Sequence, residues 1–342
     1  MVRFNHRMLQ RHTVTLAATL LATSALIVGA ALPAVAQTKA NRPFDTDRTV
    51  PVARGGRLTI SNTAGEVVIR SWDRDSLRVQ ARHAPKTAVD IQTTGNIVSV
   101  RARSSGSSNT VDYEITAPTW LPLRVSGQFI YIGIEGAQNE VSAETVHGDI
   151  VIKGGAGTIS ARTIQGEIIV EDAKGRIALS AVNENIRVTG ASGEITAENT
   201  NGDIILTKVD AKSLEAGTVN GDVRYEGTLS SGAYRLATHN GDITMVLPES
   251  TGATFTVRTY NGDFNSNLPT KVVGEIRRGR RATYILGNGA AEVELESFGG
   301  SIRLRRPGTV GPVRGRDKDK EKEQKQDVSP LEAQRLDRLS PL

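Results

Sequence analysis

Cysteine is absent from all 342 residues. That excludes disulfides, thiolate metal sites and a lipid anchor built on an N-terminal cysteine. Aromatic residues are scarce, at 4%, which disfavours a site made of ring platforms. Several chemical signatures are also missing: there is no G-x-S-x-G elbow, no H-E-x-x-H, no GxxxxGK[ST] loop and no GxGxxG after a strand. After residue 36 no apolar run is long enough to cross a membrane as a helix. Nor is the charge one-sided. The net charge of +5 falls to +2 without the three arginines of the N-terminal segment, so charge gives no support for a nucleic-acid partner.

What the chain does have begins with an export signal. Residues 1–36 read as a signal peptide, with Arg3, Arg7 and Arg11 ahead of an apolar run from Thr13 to Leu32 and an Ala-Val-Ala site before Gln37. The run is long enough to span a bilayer uncleaved, but its small residues and A-x-A site favour cleavage. The product is an exported chain, in the periplasm or at the cell surface, with no transmembrane segment after cleavage. Residues 37–43 form a linker. Residues 306–342 are dense in both charge signs and poor in large apolar residues, which predicts a disordered charged tail.

Between these ends runs a nine-residue repeat. Stepping by nine from "HGDIVIKGG" places isoleucine at the fourth position seven times in succession: Ile150, Ile159, Ile168, Ile177, Ile186, Ile195 and Ile204. Position two is glycine in all but one copy, and position six is apolar throughout. Positions four and six of a strand share a face, so each nonamer reads as a short strand plus a corner. Position nine is often apolar (Ile164, Val182, Val209) and is expected to re-enter the core past a bend. Two nonamers make an 18-residue coil, and the corner glycines Gly148, Gly166, Gly202, Gly221, Gly241 and Gly262 keep that longer beat as it relaxes to 19, 20 and 21. Stacked coils burying an Ile/Val ladder define an all-β solenoid.

The solenoid is expected over residues 126–270. Residues 44–125 alternate over longer stretches with conventional turns, which predicts an antiparallel β-meander covering the first coil. Residues 271–305 are expected to cap the other end.

The stretch "GGRLTISNTAGEVVIRSWDRDSLRV" carries Asn62, Gly65, Val67 and then Trp72, Asp73, Arg74 and Asp75. With "YEITAPTWLPLRV" and the Asn-Gly-Asp coils, it resembles the bacterial DUF4097 family over residues 44–306. The resemblance implies an exported, right-handed β-solenoid with no established enzymatic activity. Members carry an inferred adhesin label. One departure is "SGQFIYIGIEG", where Ile130 and Tyr131 stand in place of a glycine corner.

The strongest chemical candidate is an acidic column after the corner glycines, above all Asp203, Asp222, Asp242 and Asp263. Two readings stand. Asn, Gly and Asp are turn formers, and a fold that repeats a corner repeats them. Alternatively, stacked carboxylates attract Ca²⁺, although calcium-binding nonapeptides place the Asp one residue later. The turn reading is favoured, so no metal, cofactor or catalytic residue is assigned. A β-helix carbohydrate-active enzyme is a further alternative, weakened by short corners and few coil aromatics. His147 and His239 lie beside such corners and suggest structural or exposed roles. Arg277, Arg278, Arg280 and Arg281 form a basic cluster that could face an anion. The reading that emerges is a non-enzymatic cell-envelope module whose partner is an envelope protein or polysaccharide.

Overall fold

A computed structural model describes residues 43–106, 109–276 and 281–308. The segment read as a signal peptide, almost all of the expected linker, Arg277, Arg278, Arg280 and the residues beyond Gly308 lie outside the described residues. Every regular element among those described is a β-strand.

The nine-residue clock resolves into two parallel ladders, one nonamer to each. The first ladder joins Val141–His147, Thr158–Gln165, Lys174–Ser180 and Ser192–Glu198, each paired to the next at an offset of 18. It continues through the second half of Ile204–Asn220 into Ala233–Asn240. The second ladder joins Ile150–Lys153, Ile168–Glu171, Ile186–Thr189, the first half of Ile204–Asn220, Val223–Leu229 and Ile243–Val246. All seven predicted isoleucines are 0–2% exposed and belong to one hydrophobic core. Their registers pair Ile150, Ile168, Ile186 and Ile204 in one column, and Ile159, Ile177 and Ile195 in the other. Branched side chains suit this pleated, fully buried surface.

Three features depart from the expectation. The meander's antiparallel pairs are present: Thr46–Pro51 with Ser76–His83, Ser76–His83 with Thr110–Pro118, and Thr87–Thr94 with Ile97–Ser104. Arg57–Trp72, however, runs parallel to Ile97–Ser104, Thr110–Pro118 and Leu123–Glu135. It is a coil in its own right: Leu58 stacks between Val98 and Leu123, and Val67 between Tyr113 and Ile132, so the two core columns run through it.

The C-terminal cap also differs. Ala291–Ser297 and Ile302–Arg305 do not lie beyond the last coil. They insert between the coil of Ala233–Asn240 and Ile243–Val246 and that of Ala253–Thr259 and Phe264–Ser266, parallel to both. Among the described residues only Lys271–Ile276 and Arg281–Leu286 cap that end, as an antiparallel pair on Ala253–Thr259. Sequential counting hides this because the chain visits the end coil first and then fills the gap behind it. At the tail boundary, Arg306 pairs with Glu249 at 2.8 Å, so composition placed that boundary slightly early.

Position nine gives the third departure, because it divides by ladder. Ala173, Ala191 and Val209 are buried, as expected. Ile164 is 44% exposed, and Thr200 also faces solvent. The buried residue in those nonamers sits one place earlier, at Thr163, Ala181 and Asn199.

Candidate functional site

The corner between the first and second ladders holds the repeated Thr-x-Asn-Gly-Asp, and each of its residues has its own task. Thr points inward and is buried. The Oγ1 of Thr163, Thr218 and Thr238 donates to the carbonyls of Gly148, Gly202 and Gly221 in the coil before, at 3.2, 3.0 and 2.8 Å. Ser297 does the same to Gly241 at 2.9 Å, and Asn199 uses its Nδ2 on Glu184 at 2.7 Å. The Asn residues form an amide ladder on the outside: Asn220 Nδ2 donates to Asn201 Oδ1, and Asn240 Nδ2 to Asn220 Oδ1, both at 2.8 Å.

Glycine is required at this corner by crowding. A Cβ on Gly166, Gly221, Gly241 or Gly262 would stand 1.9–2.1 Å from the carbonyl oxygen of the corner glycine stacked against it, which is Gly148, Gly202, Gly221 and Gly300 in turn. Gly221, Gly241 and Gly262 are absent from the left-handed region, so close backbone approach rather than a positive φ is their reason. Ile130 occupies the same column ahead of Gly148, which would meet its carbonyl oxygen at 2.2 Å.

The acidic column is a ladder of backbone acceptors. Asp203 Oδ1 accepts the N–H of Asp222, and Asp222 Oδ1 accepts that of Asp242, both at 2.8 Å. Asp149 and Asn185 do the same for Glu167 and Asp203, and Asp242 for Ser301. Asp242 also pairs with Arg303 at 2.5 Å, and Glu167 pairs with Arg187. Asp263 is separated from the other three, because Ser301 lies between it and Asp242 and supplies the acceptor for its N–H at 3.4 Å. Among the described residues no group of three or more His, Asp or Glu side chains converges as metal ligands would.

Stacking charges this closely has an electrostatic cost. The Asp222 carboxyl is pushed above its ordinary range, first by loss of water at the crowded corner and then by the neighbouring Asp203 and Asp242. The Asp242 N–H and Arg303 oppose that rise. Glu167 is raised mainly by burial, against the pull of Arg187.

The "x" of the motif faces outward, and this is the feature that sequence reasoning missed. Backbone bonds link Ile164 to Asn183, Val182 to Asn201, Thr200 to Asn220 and His239 to Gly299, fixing these residues as one column. Val146 precedes them, and Val219, Phe298 and Tyr260 complete the line. Val219, Phe298 and Tyr260 are 45%, 43% and 40% exposed. His239 stacks on Phe298 at 4.7 Å, and Tyr260 leans on the other side at 5.2 Å. His147 stacks on Phe129 one column away, also at 4.7 Å. Both corner histidines therefore sit in ring stacks. The signal was available in the sequence on an 18-residue beat, but the nine-residue beat averaged it with the buried corner.

Of the coil aromatics, Tyr225, Tyr234 and Phe255 are core residues. Arg281 is exposed at the start of Arg281–Leu286, and the rest of its cluster lies outside the described residues.

Together these features define a class: a β-solenoid whose chemistry-bearing residues are organised as ladders along the stack. The chain belongs to the Toastrack DUF4097 family, whose model matches residues 56–305. Among solved structures it is similar to a "putative adhesin" from Parabacteroides merdae ATCC 43184, at 9% identity over 77% of this chain and 97% of that one, with a TM-score of 0.42. A "putative adhesin" and a "putative lipid binding protein" from Parabacteroides distasonis ATCC 8503 match at 11% and 12% identity. Both cover 76% of this chain and 96% of theirs, with TM-scores of 0.42 and 0.31. No curated protein matches the chain significantly.

The motif residues behind the family resemblance have visible roles. Asn62 Nδ2 donates to the Val111 carbonyl at 2.8 Å, and Gly65 is held with φ +113° where a Cβ would strike that same carbonyl. Trp72 Nε1 donates to Ser76 O, and Trp120 Nε1 to Asp75, while Arg74 lies over the Trp72 ring. The Trp-Asp-Arg-Asp turn thus fastens the first coil to its neighbours.

Proposed function

We propose that the protein acts outside the cytoplasm, in the periplasm or at the cell surface, as a non-enzymatic module that scaffolds or binds an envelope protein or polysaccharide. The observation that most supports this reading is the use of the carboxylate column. General acid–base work needs carboxylates free to exchange protons with a substrate. Here Asp203, Asp222 and Asp242 each spend an oxygen on the backbone N–H of the next coil. Envelope fractionation with in-vivo crosslinking tests the location and the existence of a partner, and a purely cytosolic pool overturns the reading. So does turnover of any envelope polysaccharide that disappears in Asp222→Asn or Asp242→Asn.

A second reading is favoured by one observation, the mutual repulsion that raises the Asp222 carboxyl between Asp203 and Asp242. A bound cation would relieve it, making a calcium-stabilised solenoid. The melting midpoint is expected to stay the same in millimolar Ca²⁺ and in chelator. A rise of several degrees with Ca²⁺ would favour the calcium reading.

A further inference from the structure

Nine large apolar side chains are exposed among the described residues, and five of them, Val146, Ile164, Val219, Phe298 and Tyr260, lie in one column along the corner. Phe129, beside that column, is a sixth. Exposed apolar residues scattered singly need no explanation, but a column of them does, here interrupted by the half-buried Val182 and by Thr200 and His239. At the inter-strand spacing of about 4.8 Å the row extends roughly 35 Å. Beside its C-terminal half the surface dips, because Gly217 and Ala237 leave the floor bare. No atom lies within 4 Å of where a Gly217 Cβ would stand.

Charge restricts what can lie there. On one side of the ridge run Asp203, Asp222 and Asp263; on the other, the dip is lined by Glu198, Glu296 and one arginine, Arg235, with Glu296 also paired to Arg258. No Lys or Arg forms an ion pair with Asp203, Asp222, Asp263 or Glu198 among the described residues, so carboxylates outnumber cations along the flanks. Anionic lipid or an acidic polysaccharide would be repelled by these flanks. A second copy of the ridge would bring like charges together. A neutral glycan fits less well, because the His239 and Phe298 rings lie 5° from parallel and cover each other's faces, so the ridge shows mainly ring edges.

We infer that this ridge and its flanking carboxylates form a docking surface for a cationic polypeptide segment bearing apolar side chains. Apolar side chains of the partner cover Val219, Phe298 and Tyr260, while its Lys or Arg groups meet Glu198, Asp203 and Asp222. The apolar contact supplies affinity and the charges supply steering and selectivity. This inference rests on the reading of the protein as a binding module and names the chemistry of its partner.

The test uses the full mature chain and a synthetic 12-residue peptide of alternating leucine and lysine, with a glycine–lysine peptide of equal charge as the control. Binding is followed by fluorescence anisotropy at two salt concentrations. Wild type is expected to bind the leucine peptide about tenfold more tightly than the control. The triple variant Val219→Ser, Phe298→Ser, Tyr260→Ser is expected to lose that advantage. Asp203→Asn with Asp222→Asn, which keeps the backbone acceptors, is expected to bind severalfold more weakly and with a shallower salt dependence. If the triple variant melts lower than wild type, Val219→Ser alone carries the comparison. Equal binding of both peptides, an unaffected ridge variant, or no binding at about 100 µM peptide overturns the inference. Ridge-dependent binding to phosphatidylglycerol vesicles or to a soluble neutral glucan instead of the peptide overturns it as well. Fractionation and polysaccharide turnover decide the broader reading separately, so a failure here is distinguishable from a failure there.

Discussion

The two glycines Gly241 and Gly217 lie close together in the stack yet carry opposite constraints. A Cβ on Gly241 would sit 1.9 Å from Gly221 O, whereas one on Gly217 meets nothing. Gly241→Ala must therefore push two coils apart and is expected to cost about 2 kcal/mol or more in urea unfolding. Gly217→Ala should stay within about 0.5 kcal/mol, or gain slightly, since alanine costs less entropy in a strand. Equal effects would show that the corner is not close-packed.

The same scale applies to Asp222. Its folded carboxyl titrates above its unfolded value, so the native state holds the proton more tightly than the unfolded chain does. This contribution to stability is unfavourable at neutral pH and is relieved as pH falls through the raised value toward the ordinary range near 4. Asn185 already serves as an uncharged acceptor in this column. Asp222→Asn is therefore expected to match or exceed wild-type stability at pH 7 by less than about 1 kcal/mol, and to flatten this part of the pH dependence. Asp222→Ala leaves the Asp242 N–H without its acceptor and should cost about 1 kcal/mol. Urea midpoints between pH 4 and 8 check both signs. An Asn variant less stable than wild type at pH 7 would show that the charge itself holds the corner.

Among elements, the short strands of the coil owe their order to the ladder on either side. Ile186–Thr189 has only four residues, yet it pairs with strands 18 residues before and after it, and Ile186 is fully buried. Ile186→Asp would bury a carboxylate with no partner in the column, and at several kcal/mol this is expected to unfold the coil. A far-UV melt resembling wild type would mean that the fourth position does not face inward. The ladder was legible in the sequence because isoleucine recurs there without exception, a pattern that burial alone explains. Position nine was misjudged because it mixes two environments: Ala173 and Val209 turn into the core, while Ile164 turns out beside the buried Thr163. Hydrophobicity cannot distinguish these cases, but the hydroxyl one residue earlier can, since Thr163 needs the carbonyl that only the inner side offers. The Asp column was likewise visible as a repeat. Its use as an acceptor ladder was not, because that depends on the register between coils.

At the scale of the whole molecule, the order of coils along the chain differs from their order in space. No local pattern announces this: "FGGSIRLR" reads as another corner and strand, and only pairing shows that Gly300 stacks between Gly241 and Gly262. Solenoids hold together by contacts between neighbouring coils, so the loss of a terminal coil ordinarily frays one end. Ala291–Ser297 and Ile302–Arg305 are different, because each is paired on both sides and Ala291, Val293, Leu295, Ile302 and Leu304 are 0–2% exposed. Removing them would sever the end coil from the stack and leave unpaired edges in both ladders, a template for aggregation. A chain of residues 37–288 is thus expected to lose its sharp melt and to elute in part as aggregate, whereas one of residues 37–308 keeps every pairing described and should melt like residues 37–342. If the Asn288 truncation is monomeric with a midpoint within a few degrees of the Gly308 chain, residues 291–305 are a dispensable cap and the insertion has no part in holding the solenoid closed.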